Sequence, residues 1–336
     1  MSFSEPGPEQ RDGDRGQAAH PGPPAAGSGE TPPASAPNGS AHASEAARNG
    51  ADNGKQRFTL HKPGGEPVRT GRNLPLAIAS GLVLGAIVFF SIYPLPALFV
   101  AITSAAVLLG IRELNRAVAV RGSRLALPPL IAGGLAMQAC AYFGGPAWLI
   151  GATALTTITT LSWRLRDGAE GYVRDATANL FTLLYLPFLL GTWQLLIATP
   201  DDGPKRLIAF IVVTISSDIG GYFAGITTGR HKMAPVISPN KTWEGFTGSV
   251  LACMLAGALT VRLMLDGPVW VGLVLGAAVV LAATVGDLIE SLIKRDLGIK
   301  DMGRFMPGHG GLMDRVDSLL IAGPVAWVVM TLLLTP

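Results

Sequence analysis

The stretch VWVGLVLGAAVVLAATVGD, residues 269–287, decides the fold of this chain. Its uncharged run ends in a single carboxylate, Asp287. A helix needs about 20 mostly apolar residues to cross a bilayer. Lipid offers no partners for backbone groups, so a run of this length can span it only as a helix. The stretch therefore predicts a transmembrane helix that carries an acidic residue at its end.

Similar runs extend outward from this stretch along most of the chain. The protein has 336 residues, of which 49% are hydrophobic, and its mean hydropathy is +0.40. We therefore predict an all-α, polytopic integral membrane protein with about nine transmembrane helices. The predicted spans are Leu74–Ile92, Pro96–Ile111, Leu127–Gly144, Ala147–Trp163, Ala178–Ala198, Leu207–Thr227, Thr247–Leu265, Val269–Asp287 and Ser318–Leu334.

The N-terminal segment has a different composition. Its first 54 or so residues are rich in Pro, Gly, Ala, Ser and Asn, with almost no large apolar side chains. Such a segment cannot bury enough apolar surface to offset the entropy of the chain. It also lacks the compact apolar region of a secretory signal peptide. We predict a disordered cytoplasmic tail over residues 1–70 and a membrane catalytic domain over residues 71–336.

Lysine and arginine collect on alternate loops, which indicates the orientation. Cytoplasmic loops of membrane proteins carry an excess of these residues. The bias predicts a cytoplasmic N-terminus and an external C-terminus, and it accounts for the net charge of +3 without a nucleic-acid partner. One side carries the basic residues of segments 55–72, 112–124, 164–174, 230–241 and 294–315, and the other carries only Lys205, Arg206 and Arg262.

Paired carboxylates distinguish the segment from Asp287 to Asp317. Asp287 and Glu290 are three residues apart, as are Asp314 and Asp317. On a helix this spacing places each pair on one face, with Cβ atoms about 5–6 Å apart. Oxygen ligands without a cysteine cluster favour Mg²⁺ over zinc. Charge at a membrane boundary is costly without a partner, so the segment predicts a magnesium site.

Basic residues and glycines in the same segment are typical of phosphate binding. Arginine suits bidentate phosphate contacts, and lysine supplies a compact charge. Gly308, Gly310 and Gly311, around His309, can bring backbone N–H groups close to an anion. The basic residues are Lys294, Arg295, Lys300 and Arg315.

Two earlier segments also carry polar residues. Asp218 lies inside an otherwise apolar helix, within Ser216–Gly225. A structural ion pair explains it as well as a role at the site. Ser238–Gly245 is interpreted as a short loop.

The segment from Ser291 to Asp317 resembles the signature of the phosphatidate cytidylyltransferases, also called CDP-diacylglycerol synthases. The likeness covers the chain from about Leu74 to its end. Met306 departs from the pattern, which has Leu, Ile or Phe there, and this exchange preserves size and apolarity. The matching residues are Ser291, Lys294, Arg295, Lys300, Asp301, Gly303, Pro307, His309, Gly310, Gly311, Asp314, Arg315 and Asp317.

The resemblance implies an enzyme of phospholipid biosynthesis in the bacterial inner membrane, with its active site at the cytoplasmic face. It would condense CTP with phosphatidic acid to give CDP-diacylglycerol and pyrophosphate. The metal ligands would be Asp287, Asp314 and Asp317, which would bind Mg²⁺, and a second, monovalent cation can share the site. A homodimer among membrane lipids is also implied.

The remaining residues receive roles from this chemistry. Lys294, Arg295 and Arg315 would act with the three aspartates in catalysis by holding phosphates. His309 is assigned to phosphate contact, because a phosphate nucleophile needs no strong base. The substrate-binding residues are then Asp218, Ser238, Lys241, Ser291, Lys300, Asp301 and His309.

Two alternative functions remain open at this point. A membrane kinase that uses CTP on a prenol or phytol alcohol would share nucleotide and metal but release CDP, and the signature disfavours it. A cation-coupled transporter or lipid flippase would need polar groups across the bilayer. The charged residues here collect on one side, and no internal repeat is evident, so transport is disfavoured.

Overall fold

The computed structural model describes residues 85–93, 95–303 and 311–334. The predicted tail and most of the span Leu74–Ile92 lie outside these residues, although residues 85–92 are helical. The elements are α1 Pro96–Ala119, α2 Leu127–Arg164, a 3₁₀ turn Leu165–Asp167, α3 Tyr172–Leu183, a π-helical turn Leu184–Phe188, α4 Leu189–Ile197, α5 Gly203–Thr228, β1 Lys232–Ala234, β2 Ser238–Thr242, α6 Trp243–Met264, α7 Val269–Leu297 and α8 Met313–Leu333.

Six helical stretches in the described residues are long and apolar enough to cross a membrane. This confirms a polytopic helical membrane protein. The helices extend beyond the predicted apolar runs, because their polar ends continue the same backbone hydrogen bonding. The six are Pro96–Ala119, Tyr172–Ile197, Gly203–Thr228, Trp243–Met264, Val269–Leu297 and Met313–Leu333.

Helix α2 is an antiparallel hairpin of two helical arms, residues 127–144 and 146–164. Its backbone leaves the helical conformation at Gly145, where φ is 76° and Pro146 follows. Positive φ favours glycine, and proline begins the second arm without needing a backbone donor. The arms lie side by side, since a Cβ added to Gly133 would collide with the side chain of Thr156. They correspond to the third and fourth predicted spans.

A buried polar network joins the ends of several helices on one side of the bundle. The Asp175 carboxylate accepts a hydrogen bond from the Arg124 backbone N–H at 3.0 Å. It also forms a salt bridge with Arg164 at 2.5 Å. Asn179 accepts from the backbone N–H of Ala126 at 2.8 Å. Buried charges need such partners. The start of α2, its end and the start of α3 are therefore fixed at the same level.

Helices α5 to α8 pack closely because small residues line their contacts. The side chain of Ser249 on α6 donates to the carbonyl of Ser217 on α5 at 2.7 Å. A Cβ on Gly220 would come within 2.6 Å of the Gly248 carbonyl oxygen. Small residues let membrane helices approach to backbone contact. This close packing sets the distances between polar side chains on neighbouring helices.

The prediction of an all-α fold is incomplete, because β1 and β2 form an antiparallel hairpin. The interpretation of Ser238–Gly245 as a loop is wrong: its first half is β2 and its second half begins α6. The side chain of Thr242 accepts a hydrogen bond from the Gly245 N–H at 3.1 Å and caps α6. A cap of this kind satisfies a free helix N–H group, so the strand runs directly into the helix.

A groove with a volume of about 1190 Å³ lies between the arms of α2. Its walls are apolar, and its one charged lining residue, Arg166, stacks on the ring of Trp163 at 3.5 Å. None of the predicted site residues lines this groove. Because the lining is apolar and contains none of these residues, the chemistry has to be sought elsewhere in the bundle.

Candidate active site

Helix α7 carries several of the polar side chains of the site. It continues ten residues beyond Asp287, to Leu297, so Asp287 and Glu290 lie within the helix and not at its end. The predicted spacing on one face is retained. Asp287 is partly exposed, whereas the Glu290 side chain is only 2% exposed. The Asp287 carboxylate is therefore accessible, whereas the Glu290 carboxylate is buried.

Asp287 forms an ion pair with Lys241 of the β-hairpin. The Lys241 Nζ donates to Asp287 Oδ2 at 2.6 Å, and the two side chains are 25% and 28% exposed. The hairpin makes this contact possible, because β2 carries Lys241 across to α7. Charge at this level of a bundle needs a counterion, and the pair supplies one. The ion pair stays within reach of a ligand.

A cavity of about 340 Å³ opens beside this pair. Asp218 from α5 and Ser238 from β2 line it together with Lys241 and Asp287. Four predicted site residues from three sequence segments are thus brought together. Asp218 also interacts electrostatically with both Asp287 and Lys241. The further lining residues are Ser217, Gly221, Tyr222, Gly225, Met233, Asn240, Thr242, Gly245, Phe246, Ser249 and Thr284.

Close packing of α7 against α8 brings Asp317 to the same region. A Cβ on Gly286 would come within 2.6 Å of the Asp317 carbonyl oxygen, so glycine permits this approach. The Asp317 carboxyl interacts electrostatically with both Asp287 and Glu290. One oxygen of Glu290, Oε1, is buried without a hydrogen-bond partner among the described residues. We call Asp287, Glu290 and Asp317 the acidic cluster.

Lys294 links α7 to the start of α8. Its Nζ donates to Glu290 at 2.6 Å and to Asp314 at 3.0 Å. Asp314 also accepts from the backbone N–H groups of Met302 at 3.0 Å and Gly311 at 2.7 Å. The Asp314 carboxylate is therefore held by two backbone N–H groups as well as by a lysine, whereas the contact described for Asp287 is its ion pair with Lys241.

Glu113 on α1 is a residue that sequence analysis missed. It is only 5% exposed, and its carboxylate accepts hydrogen bonds from the N–H groups of Leu312 and Met313, both at 3.0 Å. The only sequence signal was one acidic residue among the arginines of segment 112–124. Its partners are about 200 residues away, so no local pattern could identify them.

The prediction that Gly308, Gly310 and Gly311 offer backbone N–H groups to a ligand anion is contradicted at Gly311, the one of the three that lies within the described residues. The N–H of Gly311 is occupied by Asp314, and those of Leu312 and Met313 by Glu113. The anions bound to these N–H groups are therefore carboxylates of the protein itself. His309, Gly308 and Gly310 lie outside the described residues.

Tyr185 is a second residue that sequence analysis missed. It lies in the π-helical turn that contains Pro187, and such turns are frequent at functional sites. Its hydroxyl is buried and has no hydrogen-bond partner within the described part of the chain. The hydroxyl interacts electrostatically with Glu290, Asp317 and Asp287, the three residues of the acidic cluster.

Comparisons with known proteins show which family the chain belongs to. The sequence model of the Cytidylyltransferase family matches residues 76–333. The chain belongs to the cytidylyltransferase family.

Several relatives of this cytidylyltransferase carry the name phosphatidate cytidylyltransferase. The one from Mycobacterium leprae is 38% identical over 79% of this chain and 90% of its own length. The one from Mycobacterium tuberculosis is 36% identical over 82% of this chain and 88% of its own length. The one from Staphylococcus saprophyticus is 41% identical over 43% of this chain and 56% of its own length.

The other predicted residues of the cytidylyltransferase lie near the end of α7 and the start of α8. Ser291 is half-buried on α7, and Arg295 is exposed one residue after Lys294. Lys300 and Asp301 are exposed in the segment after α7, and Arg315 is exposed on the first turn of α8. Their contacts with substrate stay predictions.

The acidic cluster fits a divalent cation by its donor chemistry. Within residues 85–93, 95–303 and 311–334, no three His, Cys, Asp or Glu side chains are grouped as a formed metal site. Even so, neighbouring carboxyls with an unpartnered buried oxygen concentrate negative charge where a cation would be stabilised. The predicted ligand set of Asp287, Asp314 and Asp317 stays a prediction.

Proposed function

We propose that this chain transfers the cytidylyl group of CTP to phosphatidate, giving CDP-diacylglycerol and pyrophosphate. Membership of the family and the named relatives support the activity. The observation that carries the site is the Lys241–Asp287 ion pair beside a cavity, next to a cluster of carboxylates. This arrangement combines a cation for phosphate with anions for a metal, within a bundle of membrane helices.

The reaction is a substitution at the α-phosphorus of CTP. A phosphate oxygen of phosphatidate forms a bond to that phosphorus, and the bond from phosphorus to the bridging oxygen of the β-phosphate breaks. Pyrophosphate leaves with the electron pair. A phosphate anion is already a nucleophile at neutral pH, so the protein contributes mainly position and charge.

Lys241 holds the nucleotide phosphates in this proposal. Its ammonium group lies on the rim of the cavity and can exchange the Asp287 carboxylate for a phosphate oxygen. Ser238, on the same strand, offers a hydroxyl to the nucleotide, and Asp218 faces both from α5. These three side chains orient CTP before the lipid attacks.

A second set of basic side chains binds the departing pyrophosphate in this proposal. Lys294 is anchored between Glu290 and Asp314 beside the acidic cluster. Arg295 follows Lys294 on α7 and Arg315 follows Asp314 on α8. Both are exposed, and arginine can bind phosphate oxygens in pairs. The further contacts proposed for substrate are Ser291, Lys300, Asp301 and His309.

Magnesium would be held by Asp287, Asp314 and Asp317, with Glu290 beside them. When bound, it would reduce the repulsion between two anionic substrates and stabilise charge in the transition state. Asp287 lies on α7, Asp314 and Asp317 lie on α8, and the Asp317 carboxyl interacts electrostatically with Asp287 and Glu290, which supports this proposal. A monovalent cation is proposed as a second ion at the same place.

The proposed topology has nine spans, with the N-terminus in the cytoplasm. Six spans follow the candidate helices, two are the arms of α2, and the first contains the helical residues 85–92. The basic ends of α1 and α7 lie together, since Arg121 donates to Asp296. Arg206, predicted on the other side, bonds the carbonyls of Met330 and Leu334. The site then faces the cytoplasm, and we propose a homodimer in the bacterial inner membrane.

Incubation of the purified chain with α-³²P-labelled CTP, phosphatidate and Mg²⁺ tests the function. We expect label in the organic phase and unlabelled pyrophosphate in water. CTP labelled at the γ-phosphate distinguishes a kinase, which would move that label into lipid. Label that stays aqueous, with protein shown to be folded by its unfolding transition, contradicts the proposal. Transport without chemistry would appear as flux of unchanged substrate into vesicles.

A further inference from the structure

The start of α8 is held by a residue that is distant in sequence. Leu312, which precedes the helix, makes no side-chain cap, and the first N–H groups of a helix need partners. Glu113 provides them for Leu312 and Met313. We propose that Glu113 is a positioning residue of the active site, which orients α8 and thereby Asp314 and Asp317. The inference rests on the proposed function, because it assigns these aspartates to catalysis.

The surroundings of Glu113 are shaped for a carboxylate. The side chain is buried, and a Cβ on either Gly303 or Gly311 would collide with its carboxylate oxygens. Glycine at these positions leaves room for both oxygens to reach the backbone. The N-terminus of a helix carries partial positive charge, so an ionised carboxylate is stabilised there more than a neutral group.

Glu113 and Asp314 act on adjacent parts of the same segment. Asp314 accepts from Met302 and Gly311, and Glu113 accepts from the next two residues. The two carboxylates together hold both ends of the glycine-rich segment that precedes α8. Loss of Glu113 would release the first turn of α8, and with it the position of Asp317 opposite Glu290.

Glu113 also excludes another use of this helix end. A free helix N-terminus is a ready binding site for phosphate. The Glu113 carboxylate occupies that position, so substrate phosphates are directed to the lysine and arginine side chains. This predicts that a small anion can replace the missing carboxylate when Glu113 is truncated, because the donors remain in place.

The test uses the full chain in lipid nanodiscs, with Glu113→Ala, Glu113→Gln and the exposed control Glu170→Ala. Residues that orient catalytic ligands typically contribute about 10–100-fold to activity. We expect kcat to fall about tenfold or more in Glu113→Ala and less in Glu113→Gln, which keeps one oxygen. KM for CTP should change little, because Lys241 and Ser238 lie on another element. Glu170→Ala should match the unmodified chain.

Addition of formate distinguishes a positioning role from a general loss of packing, because formate would not restore kcat to a chain that has lost its packing. We expect formate to raise kcat several-fold in Glu113→Ala and in no other variant. Hydrogen exchange at the backbone N–H groups of residues 311–313 should also slow again in this variant when formate is added. Equal kcat in all variants overturns the inference. Loss of kcat in Glu113→Ala also overturns the inference when three observations accompany it. These are that the loss follows unfolding of the chain, that formate does not restore kcat, and that Glu113→Gln is fully active. Absence of cytidylyl transfer in the unmodified chain would instead contradict the proposed function.

Discussion

The two sides of the acidic cluster use the same residue types for different purposes. On the cavity side, Asp287 is paired with Lys241, and both are about a quarter exposed. On the inner side, Glu290 and Asp314, which lies outside the cluster itself, are 2% and 9% exposed and share Lys294. An accessible ion pair can exchange partners with a ligand, whereas a buried one is costly to break. Accessibility therefore separates ligand binding from support of the backbone.

The largest expected effect follows from removing the charge on the cavity side. Asp287→Asn should lower kcat about 100- to 1000-fold, a range typical for loss of one preorganised electrostatic group. The unfolding temperature should stay nearly unchanged, since Asn fits the same space. Asp296→Asn, an exposed position on the same helix, is the matched control. Near-normal turnover in Asp287→Asn would remove this residue from the site.

Asp314→Asn tests the inner side. We expect turnover to fall about 10- to 100-fold, because this residue orients the start of α8 and is proposed as a metal ligand. Stability should also fall by about 1.5–3 kcal/mol, since charged hydrogen bonds to Met302, Gly311 and Lys294 are weakened. Activity assays and thermal unfolding in detergent measure the two effects. Lost activity at unchanged stability would show that the backbone contacts contribute little.

Lys241→Met should have a smaller effect, confined to nucleotide binding. We expect kcat/KM for CTP to fall about tenfold, from the loss of one charged contact to phosphate. Lys232→Met, an exposed lysine on the same hairpin, serves as the control. Titration of activity against CTP at saturating phosphatidate separates KM from kcat. An unchanged KM and kcat would place the nucleotide away from the hairpin.

The smallest effect is expected in the apolar groove of α2. A Cβ on Gly151 meets nothing within 4 Å, so Gly151→Leu fills the groove without a clash. Turnover should stay within about twofold, as is usual for substitutions remote from the chemistry. Ala154→Leu, an exposed position on the same arm, is the control. A large loss of activity in Gly151→Leu alone would make the groove part of the functional surface.

Individual elements show which parts of the fold the sequence patterns predicted and which parts they missed. The arms of α2 were predicted separately, because each has its own apolar run and Gly145-Pro146 separates them. The β-hairpin was missed, because its strands are short and contain Pro239, which weakens any strand pattern. Lys241 was predicted to contact substrate, but its pairing with Asp287 spans 46 residues and depends on that hairpin.

Sequence alone determined that the chain spans a membrane, which family it resembles and which residue types carry the chemistry. These depend on composition and local spacing, which are properties of the chain itself. Tertiary structure decided which carboxylate is accessible and which is committed to the backbone. Asp287 and Asp314 look equivalent in sequence, yet helix packing at Gly286 and the contact of Glu113 with α8 give them different surroundings. Such differences arise from residues far apart in the chain, so only the folded arrangement reveals them.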